Sequence, residues 1–194
     1  MGAITCVCDR AIIDEKQVEV IQNEDISVIA FEEIFDAHYK RVFNFCAYRI
    51  NNHHDTEDLV SIVFEKVITK YKTYRPQFGT LEAWIITIAK NVVNDYFRKK
   101  KIKAYIQLDF SNEIPASSTE QPEEILINRE NKIALMGALN VLSEKERNIV
   151  AMKYAAKLKN VDIASIMSIS EANVGIILYR SLKKMRRFLE GENS

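Results

Sequence analysis

A chain of 194 residues, 47% hydrophobic and 28% charged, has enough apolar material for one large domain or two small ones and is neither disordered nor fibrous in composition. Lysine plus arginine and aspartate plus glutamate both number 27, so a net charge of zero announces no polyanion partner. The distribution says more: basic residues crowd into 98–103 and 180–187, while Glu113, Glu120, Glu123 and Glu124 gather between them, which leaves two local basic surfaces able to contact phosphates.

Residues 1–30 show no sustained period and form an N-terminal extension of unassigned role. Within it Cys6 and Cys8 read as ordinary thiols; with Cys46 they lack the spacing of a disulfide framework or a four-ligand zinc site. Met1-Gly2 begins like a myristoylation signal, but Cys6 stands where that pattern wants Ser or Thr. No apolar run approaches the roughly 20 residues that span a bilayer, and no export signal opens the chain. A reduced, cytoplasmic protein without membrane insertion, cofactor or metal is expected.

From Phe31 the helical period is clear, with Ile34, Phe35, Tyr39, Val42, Phe43, Cys46 and Ile50 returning every three or four residues. Asn51-Asn52-His53-His54 breaks this helix, and Asp55 or Thr56 is placed to cap the next. That second helix carries Leu59, Val63, Phe64, Val67 and Tyr71 inward. Glu57, Asp58, Ser61, Glu65 and Lys66 make a mostly acidic outer face. The two histidines beside Asp55 read as a polar turn and not as a metal site, since no further ligand set accompanies them.

Pro76 and Gly79 then interrupt the helical pattern within Tyr74-Arg75-Pro76-Gln77-Phe78-Gly79-Thr80. Two readings fit this loop: an ordinary turn with core-filling aromatics, or planar side chains on which unpaired bases stack. The helix that follows favours the second. It buries Trp84, Ile85, Ile88, Ala89, Val92 and Tyr96 on one face and offers Lys90, Asn91, Asn94 and Asp95 on the other. It then runs into Arg98, Lys99, Lys100, Lys101 and Lys103.

The apolar repeat fails between Tyr105 and Glu124, where an interdomain linker is expected over 104–124, and it resumes from Pro122 through Ile125, Leu126, Ile133, Met136, Leu139 and Leu142. Ser143-Glu144-Lys145-Glu146 is a capping box that opens a helix through Ile149, Val150 and Tyr154. A short helix near Val161 to Met167, a tight Ser168-Ile169 turn, and a longer helix capped by Ser170 together describe a helix-turn-helix. Val174, Leu178, Met185 and Leu189 share its buried face. Asn173, Ile176, Arg180, Lys183, Lys184 and Arg187 point elsewhere, the last four supplying charge for phosphates and Arg180 also able to read guanine. A solvated basic tail is the competing reading of 183–187.

DTEDLVSIVFEKVITKY, FGTLEAWIITIAKNVVNDYFRKKK and LSEKERNIVAMKYAAKLKNVDIASIMSISEANVGIILYRSLKKMR, in this order around a linker, resemble the bacterial RNA polymerase sigma factors of the sigma-70 family, extracytoplasmic-function group. The resemblance covers about 31–189. It implies an all-α fold of two small helical domains, 31–103 for core polymerase and the −10 element and 125–194 for the −35 element. It places Glu57, Asp58, Ser61, Phe64 and Glu65 on the polymerase surface. Tyr74, Arg75 and Phe78 of the loop, with Asn91, would capture a flipped −10 base, and Lys90, Asn94, Arg98 and Lys99 would lie along the melted strand. Glu171, Asn173, Arg180 and Lys184 fall on the helix that would read −35. Gly175 and Ile176 stand where many members carry polar or basic readers, so the −35 sequence is not carried over. Partners so implied are core polymerase and promoter DNA; many members of the family are also held by an anti-sigma factor, while others are controlled by transcription alone, and the sequence does not choose between the two. The rival reading is a free-standing helix-turn-helix regulator that binds duplex DNA as a dimer. An enzyme is not expected, because the sequence offers no nucleophile–base pairing, metal ligand set or phosphate loop.

Overall fold

The computed structural model describes residues 28–50, 52–107 and 124–191, all helical or connecting backbone. Residues 1–27 with Cys6 and Cys8, and 108–123 with Pro122, lie outside the described residues. Helix α1, Val28–Arg49, buries Val42, Phe45 and Cys46 completely. Burial pushes the Cys46 thiol up to about 12, so it packs as a small hydrophobe.

Helix α2, His53–Lys70, starts earlier than the sequence suggested. Asn52, and not Asp55 or Thr56, is its cap: the Asn52 side chain accepts from the Asp55 amide at 3.1 Å, so both histidines are already helical. Asp55 is thereby free to accept from the Tyr96 hydroxyl at 2.7 Å, which ties α2 to α3, Leu81–Gln107. Thr80 opens α3 by accepting from the Ala83 amide. Ile86 and Val93 are buried together with Ile85, Ile88, Ala89 and Val92, a wider apolar face than expected, because α3 packs on both α1 and α2. Trp84 and Tyr96 are only half-buried. Helix α3 also continues to Gln107, past residue 104 where the linker was expected to begin.

After α4, Glu124–Asn140, Ser143 accepts from the Glu146 amide while the Glu146 carboxylate accepts from the Ser143 amide, the reciprocal cap expected for α5, Glu144–Val150. The chain then loosens into a π-helical turn, Ala151–Ala155, in which the Ala156 amide donates back to Ala151. The extra residue rotates the register, so that Ala151, Met152 and Ala155 turn inward and Tyr154 is 46% exposed. Helix α6, Asn160–Met167, ends at Ser168 in the left-handed conformation (φ 53°, ψ 48°). Ser170 caps α7, Glu171–Leu189, by accepting from the Asn173 amide at 3.3 Å. The axes of α6 and α7 turn through 99°, a helix-turn-helix angle. Val174, Leu178, Ser181 and Met185 face inward, but Leu189, expected with them, is exposed at the helix end.

The two helical units pack together through α1 and the π-helical turn, whose Ala151, Met152 and Ala155 are buried. Arg49 sits in this seam with its side chain 2% exposed, 3.8 Å from a Glu144 oxygen and with its guanidinium 5.3 Å from the Phe97 ring centre. Burial and the neighbouring Arg147 push its guanidinium down to about 10, against the pull of Glu144, and its Nε has no hydrogen-bond partner.

Candidate nucleic-acid interface

Helix α2 presents Glu57, Asp58, Ser61 and Glu65 to solvent, the acidic face expected from the sequence. The Ser61 hydroxyl is already turned onto its own helix, donating to the Glu57 carbonyl at 3.1 Å. Phe64 departs from the expected surface. It is 3% exposed, its ring 4.7 Å from Phe35 and within an aromatic cluster with Phe31 and Tyr39, so it holds the face up from beneath. Two apolar residues share the outer face, Ile62 at 38% and Ile68 at 46% exposure. Their separation from Asp58 and Glu65 by three or four residues was the available signal.

The loop before α3 is built from two 3₁₀ turns, Tyr71–Thr73 and Pro76–Phe78. Pro76 fixes the start of the second, and Gly79 at φ 147° reverses the chain into α3. Tyr74 packs its ring 5.6 Å from Trp84 and donates its hydroxyl to the Gly79 carbonyl, while Arg75 donates to the Lys72 and Tyr74 carbonyls. These contacts leave Phe78 81% exposed at the tip. Tyr74 is therefore a support, and Phe78 is the free aromatic plane.

Along α3, at about 100° per residue, Lys90, Asn91, Asn94 and Arg98 fall within one arc of about 100°. Asn91 is exposed; Asn94 keeps its Oδ1 buried without a partner, so only its amide nitrogen can face outward. Lys90 donates to the Ile166 carbonyl at the end of α6, 3.2 Å away, across the seam between the units. Arg98 pairs with Asp95 at 3.1 Å. Lys99 leaves this stripe: with Asp95 and Tyr96 it lines a groove of about 290 Å³ shared with Asp58, Ile62 and Lys66 of α2. Burial and the bond to Asp55 push the Tyr96 hydroxyl up to about 12, so it donates at every physiological pH.

On α7 the cations divide into two sets. Lys184 is bound to the Glu146 carboxylate at 2.7 Å and Arg186 to Glu190 at 2.7 Å. Burial pushes the Glu146 carboxyl up, but the bonds from Lys184 and Ser143 outweigh it and hold the group below its usual range. Arg180, Lys183 and Arg187 make no ion pair among the described residues. Glu171 and Asn173 are exposed in the first turn.

Residues 34–102 match the model of sigma-70 region 2, and residues 132–185 match that of sigma-70 region 4. The chain belongs to the sigma-70 family. Its similarity to curated members is spread over both regions. It is 24% identical over 161 residues to the extracytoplasmic-function (ECF) RNA polymerase sigma factor BldN of Streptomyces coelicolor, covering 82% of this chain but 60% of that one. It is also 24% identical over 163 residues to the ECF RNA polymerase sigma factor SigX of Bacillus subtilis, covering 82% and 84%. Among solved structures, the sigma factor RpoE in complex with the anti-sigma factor NepR, from Bartonella quintana, superposes with a TM-score of 0.64 at 20% identity over 86% of this chain and all of that one.

Sigma-70 region 2 thus spans the acidic face of α2, the Phe78 loop and the polar stripe of α3, and region 4 spans the helix-turn-helix. Among the described residues no single helix is long and apolar enough to cross a membrane.

Proposed function

We propose that this protein binds core RNA polymerase, carries it to promoters and opens the −10 element, acting by binding alone and making or breaking no covalent bond. Glu57, Asp58 and Glu65, with the newly apparent Ile62, form the polymerase face. Phe78 receives an unpaired base of the melted strand, Asn91 reads its edge, and Lys90, Asn94 and Arg98 follow the backbone beyond it. Lys99, in the groove between α2 and α3, stands at the border of the two surfaces. Region 4, carried on a separate unit beyond the segment that joins α3 to α4, places α7 in the duplex at −35 with Arg180, Lys183 and Arg187 on phosphates. Joining two weak DNA modules makes the second contact intramolecular, which is how selectivity arises. The cytoplasm, where polymerase works, is the place of action, and the anti-sigma complex of the similar RpoE supports such a regulator as a third partner.

The observation that carries this reading is the pairing, on one small helical unit, of an acidic face with a free aromatic plane beside a polar, basic stripe. The test is co-elution of the full chain with core polymerase on a sizing column. A one-to-one complex is expected, lost in the Asp58→Lys, Glu65→Lys double variant. A folded dimer that ignores polymerase and binds a palindromic duplex would instead establish the free-standing regulator.

A further inference from the structure

The outward face of α7 is apolar where it begins and cationic where it ends. Opposite the buried Val174, Leu178, Ser181 and Met185, at about 100° per residue, Ala172, Ile176, Tyr179 and Lys183 fall within an arc of about 60°. Ile176 is 49% exposed and Tyr179 69% exposed, and both are held outward by a helix fixed at its start by the Ser170 cap and along its length by α4, α5 and α6. Beside Ile176, a Cβ added to Gly175 would meet nothing within 4 Å, so the backbone there is bare. The three cations without an ion pair among the described residues, Arg180, Lys183 and Arg187, continue this same face. The paired Lys184 and Arg186 lie on its flanks. An apolar patch continued by unpaired cations fits duplex DNA, whose one apolar group in the major groove is the thymine C5-methyl, set between phosphate rails.

We propose that Ile176, with Tyr179 beside it, is a thymine-methyl reader: α7 selects its duplex element by apolar contact with thymine methyls, and Arg180, Lys183 and Arg187 fix the register on phosphates. This rests on the promoter-binding reading above. Ile176 can neither donate nor accept a hydrogen bond, so whatever it distinguishes in a base pair it distinguishes by shape and hydrophobicity. The Tyr179 ring widens the apolar area, and its hydroxyl remains available to a phosphate or a base acceptor.

The test uses the full chain loaded on core polymerase and a duplex library carrying a randomised ten-base-pair block upstream of a fixed premelted bubble. Enriched duplexes are resynthesised with each thymine of the block replaced singly by deoxyuridine, which removes only the methyl. At one or more positions the replacement is expected to weaken binding about fourfold, the worth of one buried methyl. Ile176→Ala should erase that thymine-over-deoxyuridine ratio and Ile176→Val should keep most of it, whereas Lys183→Ala should weaken both duplexes equally and lower the salt dependence. Equal binding of thymine and deoxyuridine duplexes by a holoenzyme that still selects a sequence would overturn the methyl reader and leave the promoter reading intact. So would an Ile176→Ala variant that keeps the ratio; an Ile176→Ala variant that folds but no longer loads on core would also overturn it and give the patch to a protein partner. Failure of the chain to load on core at all would overturn both readings.

Discussion

Phe78 is the residue whose position most directly suggests what this molecule touches. A phenylalanine at 81% exposure is unfavourable in isolation, and here a proline, a left-handed glycine and three side chain–backbone hydrogen bonds hold it there. Phe78→Ala is expected to reduce strand opening by about tenfold, given that base–aromatic stacking contributes roughly 1–3 kcal/mol, without altering binding to core polymerase. Fluorescence of 2-aminopurine placed in the −10 element reads this, and an unchanged signal would remove Phe78 from the site. His38 offers a second test at this scale. Burial lowers its pKa below the usual histidine value, against the pull of Glu82 and with the help of Arg41. The unfolded chain therefore binds more protons than the folded one below about pH 6.5, so stability is full above that pH and declines as pH falls through it. His38→Gln should flatten this acid limb in urea titrations between about pH 5 and 7. An identical limb would show that other groups set it.

Elements were legible where a local rule governs them. The reciprocal cap of Ser143 and Glu146, the turn at Ser168 and the apolar spacing of α2 all depend on residues within one or two turns of each other. What was not legible depends on neighbours distant in sequence. Periodicity turned Phe64 inward while the resemblance put it on the polymerase surface, and only the closure of Phe31, Phe35 and Tyr39 around it decides for the former; Lys99 leaves the polar stripe because α2 makes a groove there. The outward turn of Tyr154 follows from a π-helical turn that adds a residue no periodicity of 3.6 anticipates. Ser168 carries a side chain in a left-handed conformation that costs an L-residue about 1 kcal/mol. Ser168→Gly should therefore raise the stability of the helix-turn-helix by several tenths to about 1 kcal/mol in thermal denaturation. A loss of stability would mean that the serine side chain contributes more than its backbone strain costs.

At the scale of the whole molecule, the two units are docked in a form that keeps part of the polar stripe of α3 occupied, Lys90 being bonded to Ile166 across the seam. A compact chain of this length has a radius of gyration of about 16 Å, while elements 25 base pairs apart lie roughly 85 Å from each other. Engaging both elements therefore requires the seam to open. Arg49 is the side chain that fills it, buried with its guanidinium 5.3 Å from the Phe97 ring centre and 3.8 Å from a Glu144 oxygen. Arg49→Ala leaves a cavity beside Phe97 and removes the Glu144 contact; small-angle scattering should show a larger radius of gyration for the variant. An unchanged radius would place the holding energy in the apolar packing of Ala151, Met152 and Ala155.

The central claim, that this chain directs polymerase to promoters, is tested most directly by transcription of genomic DNA from its own organism with core polymerase, with and without the protein, followed by mapping of the RNA 5′ ends. The account predicts discrete start sites that depend on the protein, share two separated upstream sequence blocks, and vanish with the Asp58→Lys, Glu65→Lys variant. Start sites scattered alike with and without the protein would contradict it.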